Sequence, residues 1–177
     1  MAPERTIYND GNGYFLTLRI AGWVDLFTRR KYAGLIFDSL KYCITHKNLE
    51  LYHYCLMSNH LHLIASSPDN LNIIIRDFKS YTAHQLSKSI FESDESRKEW
   101  IEMVFRYNAK KYRGRALNIW HPSNYPTVLY SPKVIQQKID YVLQNPVKAG
   151  IVSCPEHYLY CSAHPQHPLK GYLKEMQ

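Results

Sequence analysis

The sequence lacks the features that mark membrane and secreted proteins. Its four cysteines form no Cys-x-x-Cys pair and no regular framework, which is typical of proteins in a reducing compartment. No apolar run approaches the roughly 20 residues that are needed to span a bilayer, and residues 1–5 do not begin a signal peptide. Internal repeats and low-complexity linkers are also absent. We therefore expect a cytoplasmic protein.

Acidic residues are scarce relative to basic ones. The 22 lysines and arginines outnumber the 15 aspartates and glutamates, which gives a formal charge of +7. An excess of this kind favours a polyanionic partner, and nucleic acid is the first candidate. The 15 tyrosines supply aromatic faces on which unpaired bases could stack. With 177 residues and 45% hydrophobic side chains, the chain is long enough and apolar enough to form one globular domain.

Hydrophobic periodicity predicts alternating strands and helices. Asp69 or Asn70 is placed to cap one helix, and Ser131 followed by Pro132 begins another. Because proline disfavours helical geometry in the residue before it, Pro146 should end that last helix near Asn145. The patterns predict strands at 14–20, 50–57, from 60 onwards and 127–130, and helices at 30–45, 71–90, 94–107 and 132–143.

Two histidines interrupt the apolar segment that follows residue 59. In a strand, His60 and His62 lie on one face about 7 Å apart, while Leu61 and Leu63 face the core. Both imidazoles can then turn toward one divalent cation. A single strand histidine is usually structural, so a third ligand or a partner nucleophile is needed before the pair indicates a site.

A tyrosine and an asparagine on the last predicted helix complete such a site. Tyr141 and Asn145 are four residues apart and therefore share a helix face. A phenol beside a divalent cation that polarises a phosphate can form a covalent phosphotyrosine. The carboxamide oxygen of Asn145 can serve as the third ligand. Taken singly, Tyr141 would be a core residue and Asn145 a helix cap.

A basic segment lies between the two parts of this site. Residues 106–115 contain five cations and two tyrosines but no carboxylate, a composition that favours an arm for binding phosphates over a solvated loop. The segment contributes Arg106, Lys110, Lys111, Tyr112, Arg113 and Arg115 as candidate DNA-binding residues, and Lys148 near the tyrosine is a further candidate.

The residues from Leu56 to Ile64 and from Tyr141 to Val152 resemble the two signatures of the HUH single-tyrosine transposases. Among these IS200-like proteins, the REP-associated tyrosine transposases share the His-hydrophobe-His strand and the Tyr-x-x-x-Asn-Pro-Val-x-x-Gly segment. The resemblance covers roughly Gly13 to Val152. It departs at Ser58, where many relatives have proline or aspartate, and residues 92–112 align less easily.

The resemblance implies an α+β fold, a ferredoxin-like antiparallel sheet with helices packed mainly on one face. It also implies a chemistry in which Mg²⁺ or Mn²⁺, held by His60, His62 and Asn145, polarises a phosphate of single-stranded DNA while Tyr141 attacks it. The products would be a 5′-phosphotyrosyl enzyme and a free 3′-hydroxyl, with no nucleotide cofactor. The partner would be single-stranded or hairpin DNA of the chromosome, and the protein a monomer or homodimer, the monomer being favoured.

The predicted organisation is a transposase domain over residues 1–152, with a helical and basic insertion at about 91–117, and a C-terminal tail over residues 153–177. Four alternatives remain open. Tyr81 is a rival nucleophile, although its neighbours suggest a packing residue, and the pairs Cys154/His157 and Cys161/His164 offer ligands for zinc. The chain could also be a non-catalytic protein that binds hairpins, or a nuclease that uses a metal-bound water.

Overall fold

The computed structural model describes residues 11–112 and 116–176. Within these ranges the strands and helices follow the order predicted from the sequence. The elements are β1 (Tyr14–Arg19), α1 (Arg30–His46), β2 (Glu50–Leu56), β3 (His60–Ser66), α2 (Leu71–Phe91), α3 (Lys98–Ala109), β4 (Thr127–Val128) and α4 (Pro132–Lys148). Short 3₁₀ turns occupy Ala21–Trp23, Leu26–Thr28 and Pro155–His157.

The four strands form one antiparallel sheet in the order β2-β3-β1-β4. β2 and β3 are hairpin partners, and β1 lies on the other side of β3. The register places Thr17 beside His62 and Arg19 beside His60. This order, with a helix after β1 and another after β3, is the ferredoxin-like arrangement, and the predicted α+β fold class is confirmed.

The sheet buries different residues on its two faces. Leu16 and Leu63 belong to the main core, which α1 and α2 cover with residues such as Leu40 and Phe78. On the opposite face, Phe15 and Ile64 pack with Val142 of α4 in a second, smaller core. Because side chains alternate along a strand, the histidines of β3 lie on the face that α4 covers. The strand pattern therefore brings α4 to the histidines.

The predicted cap of α2 is formed by Asn70, whose Oδ1 accepts a hydrogen bond from the Ile73 amide at 3.2 Å. α3 begins at Lys98 and not at Asp94 as predicted. The chain turns before α3 because the carboxylate of Glu95 is buried, where it accepts hydrogen bonds from Arg97 Nε at 3.2 Å and from Tyr32 Oη at 3.1 Å. A residue held inside in this way cannot occupy the exposed first turn of a helix.

Glu95 gives a first testable prediction, on stability. Burial alone would raise its pKa, but hydrogen bonds from Arg97 and Tyr32 outweigh burial and lower it. A lowered pKa means that this stabilisation is complete above the ordinary glutamate pKa of about 4.3 and is lost as the pH falls below it. Glu95→Gln should lower the free energy of unfolding by about 2 kcal/mol at pH 7. Urea denaturation at pH 7 measures the loss.

When urea denaturation is repeated between pH 5 and 3, the free energy of unfolding should change less with pH for Glu95→Gln than for the wild-type protein. Glu92→Gln, an exposed change three residues earlier, is the matched control and should leave both the stability and its pH dependence unchanged. Equal stability of the two variants at pH 7 would show that Glu95 does not anchor this turn.

The end of α4 differs from the prediction. The helix begins as expected, with Ser131 as its N-cap, but it continues through Pro146 to Lys148. Proline removes one hydrogen-bond donor from the last turn, and the buried ring of Pro146 packs inside instead. Gly150, two residues beyond the end of the helix, has a φ of 70°. Its amide bonds to the Val147 carbonyl, and the Ile151 amide to that of Pro146, in a Schellman motif.

The C-terminal segment follows the outer edge of β2. The Leu56 amide donates to the Tyr160 carbonyl at 2.9 Å, and the Ser162 amide donates to the Tyr54 carbonyl at 2.9 Å. Farther along, the Lys174 amide donates to Leu51 at 2.9 Å. The segment therefore satisfies backbone groups that an edge strand would otherwise expose. None of the helices in the described ranges has the length and apolar character needed to cross a membrane.

Candidate active site

The two histidines of β3 lie side by side with their ring centroids 4.7 Å apart. The Nδ1 atom of each ring has a polar neighbour, Asn59 Oδ1 at 2.7 Å for His60 and Thr17 Oγ1 at 3.0 Å for His62. These contacts fix the orientation of both rings, because each imidazole has only two nitrogen atoms. Both Nε2 atoms are left to interact with other groups.

α4 supplies the other two residues predicted for the site. The Nδ2 atom of Asn145 lies 3.2 Å from His62 Nε2, and the Asn145 side chain also hydrogen-bonds with His60. One turn earlier, the Tyr141 ring lies edge-on to His62 with centroids 5.3 Å apart. The structure thus brings together in one chain the four residues that the sequence suggested, from elements about 80 residues apart.

Both imidazoles have lowered pKa values. Burial is the main cause, and it lowers the pKa of His62 to about 3 with the help of the nearby His60 and Lys138 charges. For His60, burial and the Arg19 charge outweigh the hydrogen bond to Asn145, which raises the pKa because it stabilises the protonated ring. Both rings are therefore neutral at neutral pH. A neutral imidazole keeps the lone pair with which it binds a metal.

The donors fit a divalent cation. Two neutral imidazole nitrogens and one carboxamide form a three-ligand set that leaves positions open for phosphate oxygens or water. In the described residues, no group of three or more His, Cys, Asp and Glu side chains could hold a metal. A cation at this site would therefore depend on the Asn145 carboxamide, which can present its oxygen by turning about its last side-chain bond.

Tyr141 lies at the exposed edge of the site, with 40% of its surface accessible. The Phe15 ring packs edge-to-face against it, with centroids 5.6 Å apart. Two ammonium groups flank the phenol, since Lys138 Nζ lies 5.8 Å and Lys148 Nζ lies 5.4 Å from the ring centroid. Tyr141, Lys138 and Lys148 line a depression of about 260 Å³ together with Gln137 and Asp140. Its two ammonium groups outnumber its one carboxylate, which suits a phosphate group next to Tyr141.

Comparison with known proteins identifies the family of this chain. A family model described as "Transposase IS200 like" matches residues 25–120, more than half of the chain. The chain belongs to the IS200-like transposase family. The matched range contains the histidine strand of this transposase and ends before α4, so the position of Tyr141 and Asn145 rests on the structure.

Two relatives of this transposase cover nearly its whole length. A Haemophilus influenzae protein named "Putative REP-associated tyrosine transposase" is 26% identical over 167 residues, 93% of this chain and 86% of the relative. A solved structure described as a REP-associated tyrosine transposase bound to a REP hairpin has a TM-score of 0.66 at 18% identity. It covers 93% of this chain and 84% of its own. At that identity the likeness shows the fold alone.

The structure adds three residues of the transposase site that sequence reasoning missed. Lys138 could have been found, because it precedes Tyr141 by three residues and so shares its helix face. Thr17 and Phe15 could not, because they come from β1 and meet the histidines only through the strand register. Phe15 stacks on His62 with ring centroids 5.5 Å apart, and Lys138 Nζ lies 4.7 Å from the centroid of the Phe15 ring.

The predicted basic segment is only partly described. Arg106 is not a free cation, since it forms an ion pair at 2.6 Å with Glu102, one turn earlier in α3. Lys110 is exposed, and Lys111 Nζ lies 5.9 Å from the Tyr107 ring. Tyr112 donates its amide to the Ala109 carbonyl at 2.8 Å. Arg113 and Arg115 lie outside the described residues, and Lys148 is the candidate placed beside Tyr141.

Tyr81, the rival nucleophile, is not near the histidines. It lines a groove of about 1040 Å³ with residues of α1 and α2, on the opposite side of the sheet from α4. Its 58% exposure also shows that the packing role predicted for it is wrong. By contrast, Tyr141 is too exposed to be a core residue, and Asn145 lies inside α4 and does not cap it.

The zinc alternative also finds no support. Cys161 is fully buried beside Cys55, with which it forms an isolated β-bridge. Neither the Cys154 pair nor the Cys161 pair belongs to a group of three or more metal-binding side chains within the described residues. His164 instead accepts a hydrogen bond at Nδ1 from the Gln166 amide at 3.0 Å. This segment packs along β2 without the side-chain grouping that a zinc centre needs.

Proposed function

We propose that the protein is a metal-dependent single-stranded DNA endonuclease and strand transferase that cleaves at or near DNA hairpins. The observation that carries this proposal is the convergence of Tyr141 and Asn145 of α4 on the His60/His62 pair of β3. The three candidate ligands and the candidate nucleophile come from one chain, so a monomer could act with its own tyrosine.

In the proposed reaction, the phenolic oxygen of Tyr141 attacks a DNA phosphorus atom in line with the bond to the 3′ oxygen. The new bond joins tyrosine to the 5′ phosphate, the P–O3′ bond breaks, and the 3′ oxygen leaves as a hydroxyl. Solvent takes the phenolic proton and returns one to the leaving oxygen. Attack by the 3′-hydroxyl of a second strand reverses the step and frees Tyr141, so no nucleotide cofactor is consumed.

The surrounding residues have separate tasks. Lys138 and Lys148, on either side of the phenol, would bind the non-bridging phosphate oxygens and hold the phosphorus against it. Thr17 keeps the His62 ring turned so that its Nε2 faces Asn145. A bound Mg²⁺ or Mn²⁺, held by the two histidines and Asn145, would supply Lewis-acid polarisation of the phosphate.

The substrate class follows from charge and from the relatives. A formal charge of +7 favours DNA, and the relative of similar fold was solved with a REP hairpin. Lys110, Lys111 and Tyr112 follow the end of α3 and are further candidates for binding the DNA backbone. We therefore propose hairpin DNA with single-stranded flanks as the substrate. The protein would act on the chromosome in the cytoplasm.

A trapping experiment tests this function. The purified protein is incubated with labelled hairpin DNA that carries the flanking sequence found beside its own gene, with Mn²⁺ or with EDTA, and is run on a denaturing gel. We expect a covalent protein–DNA band with Mn²⁺ and none with EDTA. Cleavage without a covalent band would identify a nuclease that uses water, and binding without cleavage would identify a non-catalytic hairpin-binding protein.

A further inference from the structure

An exposed tryptophan borders the candidate metal site. β1 ends at Arg19, which lies opposite His60 in the sheet, and the next residues form the short turn Ala21–Trp23. Trp23 is 56% exposed, and its indole lies edge-on to the His60 ring with centroids 6.2 Å apart. A large apolar ring is therefore displayed to solvent within one ring's width of a candidate ligand.

Arg19 joins this indole to a second aromatic ring. Its guanidinium carbon lies 4.8 Å from the centroid of Trp23 and 4.3 Å from the centroid of Tyr125, and it donates a hydrogen bond to the Tyr125 hydroxyl. The Nε atom of Arg19 is buried and has no hydrogen-bond partner among the described residues. The guanidinium is thus held in place between elements while one of its donors is unused.

The backbone holds both rings in an uncommon conformation. Trp23 has a φ of 58° and Tyr125 a φ of 47°, in the left-handed region that bulky residues rarely adopt. Gly22, with a φ of 67°, lies against α3 so closely that an added Cβ would be 2.3 Å from Val104 Cγ1. The turn is therefore pressed onto α3, and Trp23 is directed away from the core.

The charges around these rings match a nucleic-acid strand. The His121 imidazole stacks on Tyr125 with centroids 5.8 Å apart, and its amide donates to the Arg19 carbonyl at 2.8 Å. Burial lowers the pKa of His121, and the nearby charges of Arg19, Lys79 and Lys111 lower it further. Lys79 Nζ donates to the His121 and Pro122 carbonyls at 2.7 and 3.1 Å, so its charge lies beside this segment as that of Arg19 does. Cations beside exposed aromatic rings are the combination that binds single-stranded nucleic acid.

We propose that Trp23 stacks on the unpaired base of the nucleotide next to the cleaved phosphate, and that the Arg19 guanidinium, held against the Trp23 and Tyr125 rings, supplies positive charge that attracts the adjoining phosphate. The proposal rests on the proposed function for its occupant, a single DNA strand passing the His60/His62 site. Tyr125 is a positioning residue, because it holds the guanidinium and does not itself face the base. Indole stacking is tolerant of base identity, so this contact sets where the strand lies more than which base it carries.

The experiment measures the contact without requiring cleavage. A 12-nucleotide single strand of mixed sequence is titrated onto the protein in EDTA, and both tryptophan fluorescence and the anisotropy of the labelled strand are recorded. Trp23→Ala should weaken binding about 10-fold, and Trp23→Phe should restore most of the affinity because a ring is again available. Stacking should quench the wild-type fluorescence, and this quenching should be lost in Trp23→Phe. Trp100→Phe, which removes the 45% exposed tryptophan of α3, is the matched control and should keep it.

A strand with one abasic site identifies the nucleotide concerned. At one position along the strand, loss of the base should lower the affinity of the wild-type protein about 10-fold. The same loss should not lower the affinity of Trp23→Ala any further. Quenching that persists in Trp23→Phe, or equal affinities of Trp23→Ala and the wild-type protein, would overturn the proposal. These results can be distinguished from those of the trapping assay. Cleavage without quenching of Trp23 fluorescence would refute only the stacking contact. Quenching without a covalent band refutes only the proposed chemistry.

Discussion

Tyr141→Phe is expected to eliminate the covalent protein–DNA product, with a loss of at least about 10³-fold, while DNA binding changes by less than about twofold. The substitution removes only the phenolic oxygen that is proposed to attack the phosphate. The phenylalanine ring can keep the edge-on contacts with Phe15 and His62, at centroid distances of 5.6 and 5.3 Å. The labelled hairpin assay with Mn²⁺ measures the covalent product, and anisotropy in EDTA measures binding.

Two other tyrosines provide matched controls for this result. Tyr130→Phe changes a residue that is 74% exposed and lies just before α4, and it should leave the covalent product unchanged. Tyr81→Phe changes the rival on the other side of the sheet and should also have no effect. A band that survives in Tyr141→Phe and disappears in Tyr81→Phe would contradict the assignment and require a different strand path.

The order and type of the elements could be predicted because their signals are local. Alternation around Leu61 and Leu63 predicts β3 and places His60 and His62 on one face, whatever packs on the other. The four-residue spacing of Tyr141 and Asn145 predicts a shared helix face in the same way. The geometry of the site follows once α4 lies on the histidine face, which the two cores of the sheet require.

The remaining features depend on contacts that no local pattern encodes. Pro146 should end α4 by local rules, but its burial and the turn at Gly150 let the helix continue to Lys148. The sequence predicts that Glu95 is an exposed helix residue. In the structure Tyr32, 63 residues away, donates a hydrogen bond to its carboxylate. The neighbours of His62 on β1 likewise emerge only when the strand register is known.

The aromatic surface that Trp23 and Tyr125 form beside the site could not be predicted from the sequence either. Nothing in the sequence around Trp23 or Tyr125 distinguishes them from the other aromatic residues. Their left-handed backbone and their common contact with Arg19 exist only because β1 and the segment after residue 120 are brought together by the sheet. A basic segment with clustered lysines is easier to recognise, yet its first cation, Arg106, already has Glu102 as a partner.

His62→Ala is expected to abolish cleavage, with a loss of at least about 100-fold, and to remove the protein's response to Mn²⁺. The variant would retain one imidazole and one carboxamide, too few ligands to hold a cation against water. Metal binding can be measured without DNA, because a cation that binds only the folded state stabilises it. Mn²⁺ at 100 times its Kd should raise the wild-type free energy of unfolding by about 2.7 kcal/mol.

Two further variants give an intermediate effect and a control for this prediction. Thr17→Val keeps the imidazole of His62 and removes its partner at Nδ1, so cleavage and Mn²⁺ affinity should fall by about 10-fold to 100-fold. His84→Ala removes an exposed histidine of α2 and should change neither. Thermal melting in EDTA shows whether each variant folds before Mn²⁺ is added.

The outcome of this series decides whether the histidine pair is a metal centre or a structural pair. If the pair is structural, His62→Ala should lower the melting temperature in EDTA, and Mn²⁺ should stabilise neither this variant nor the wild-type protein. If it binds the cation, the stabilisation by Mn²⁺ should be largest in the wild-type protein, smaller in Thr17→Val and absent in His62→Ala. Cleavage should follow the same order, because the phosphate polarisation that Tyr141 needs depends on the same ligands.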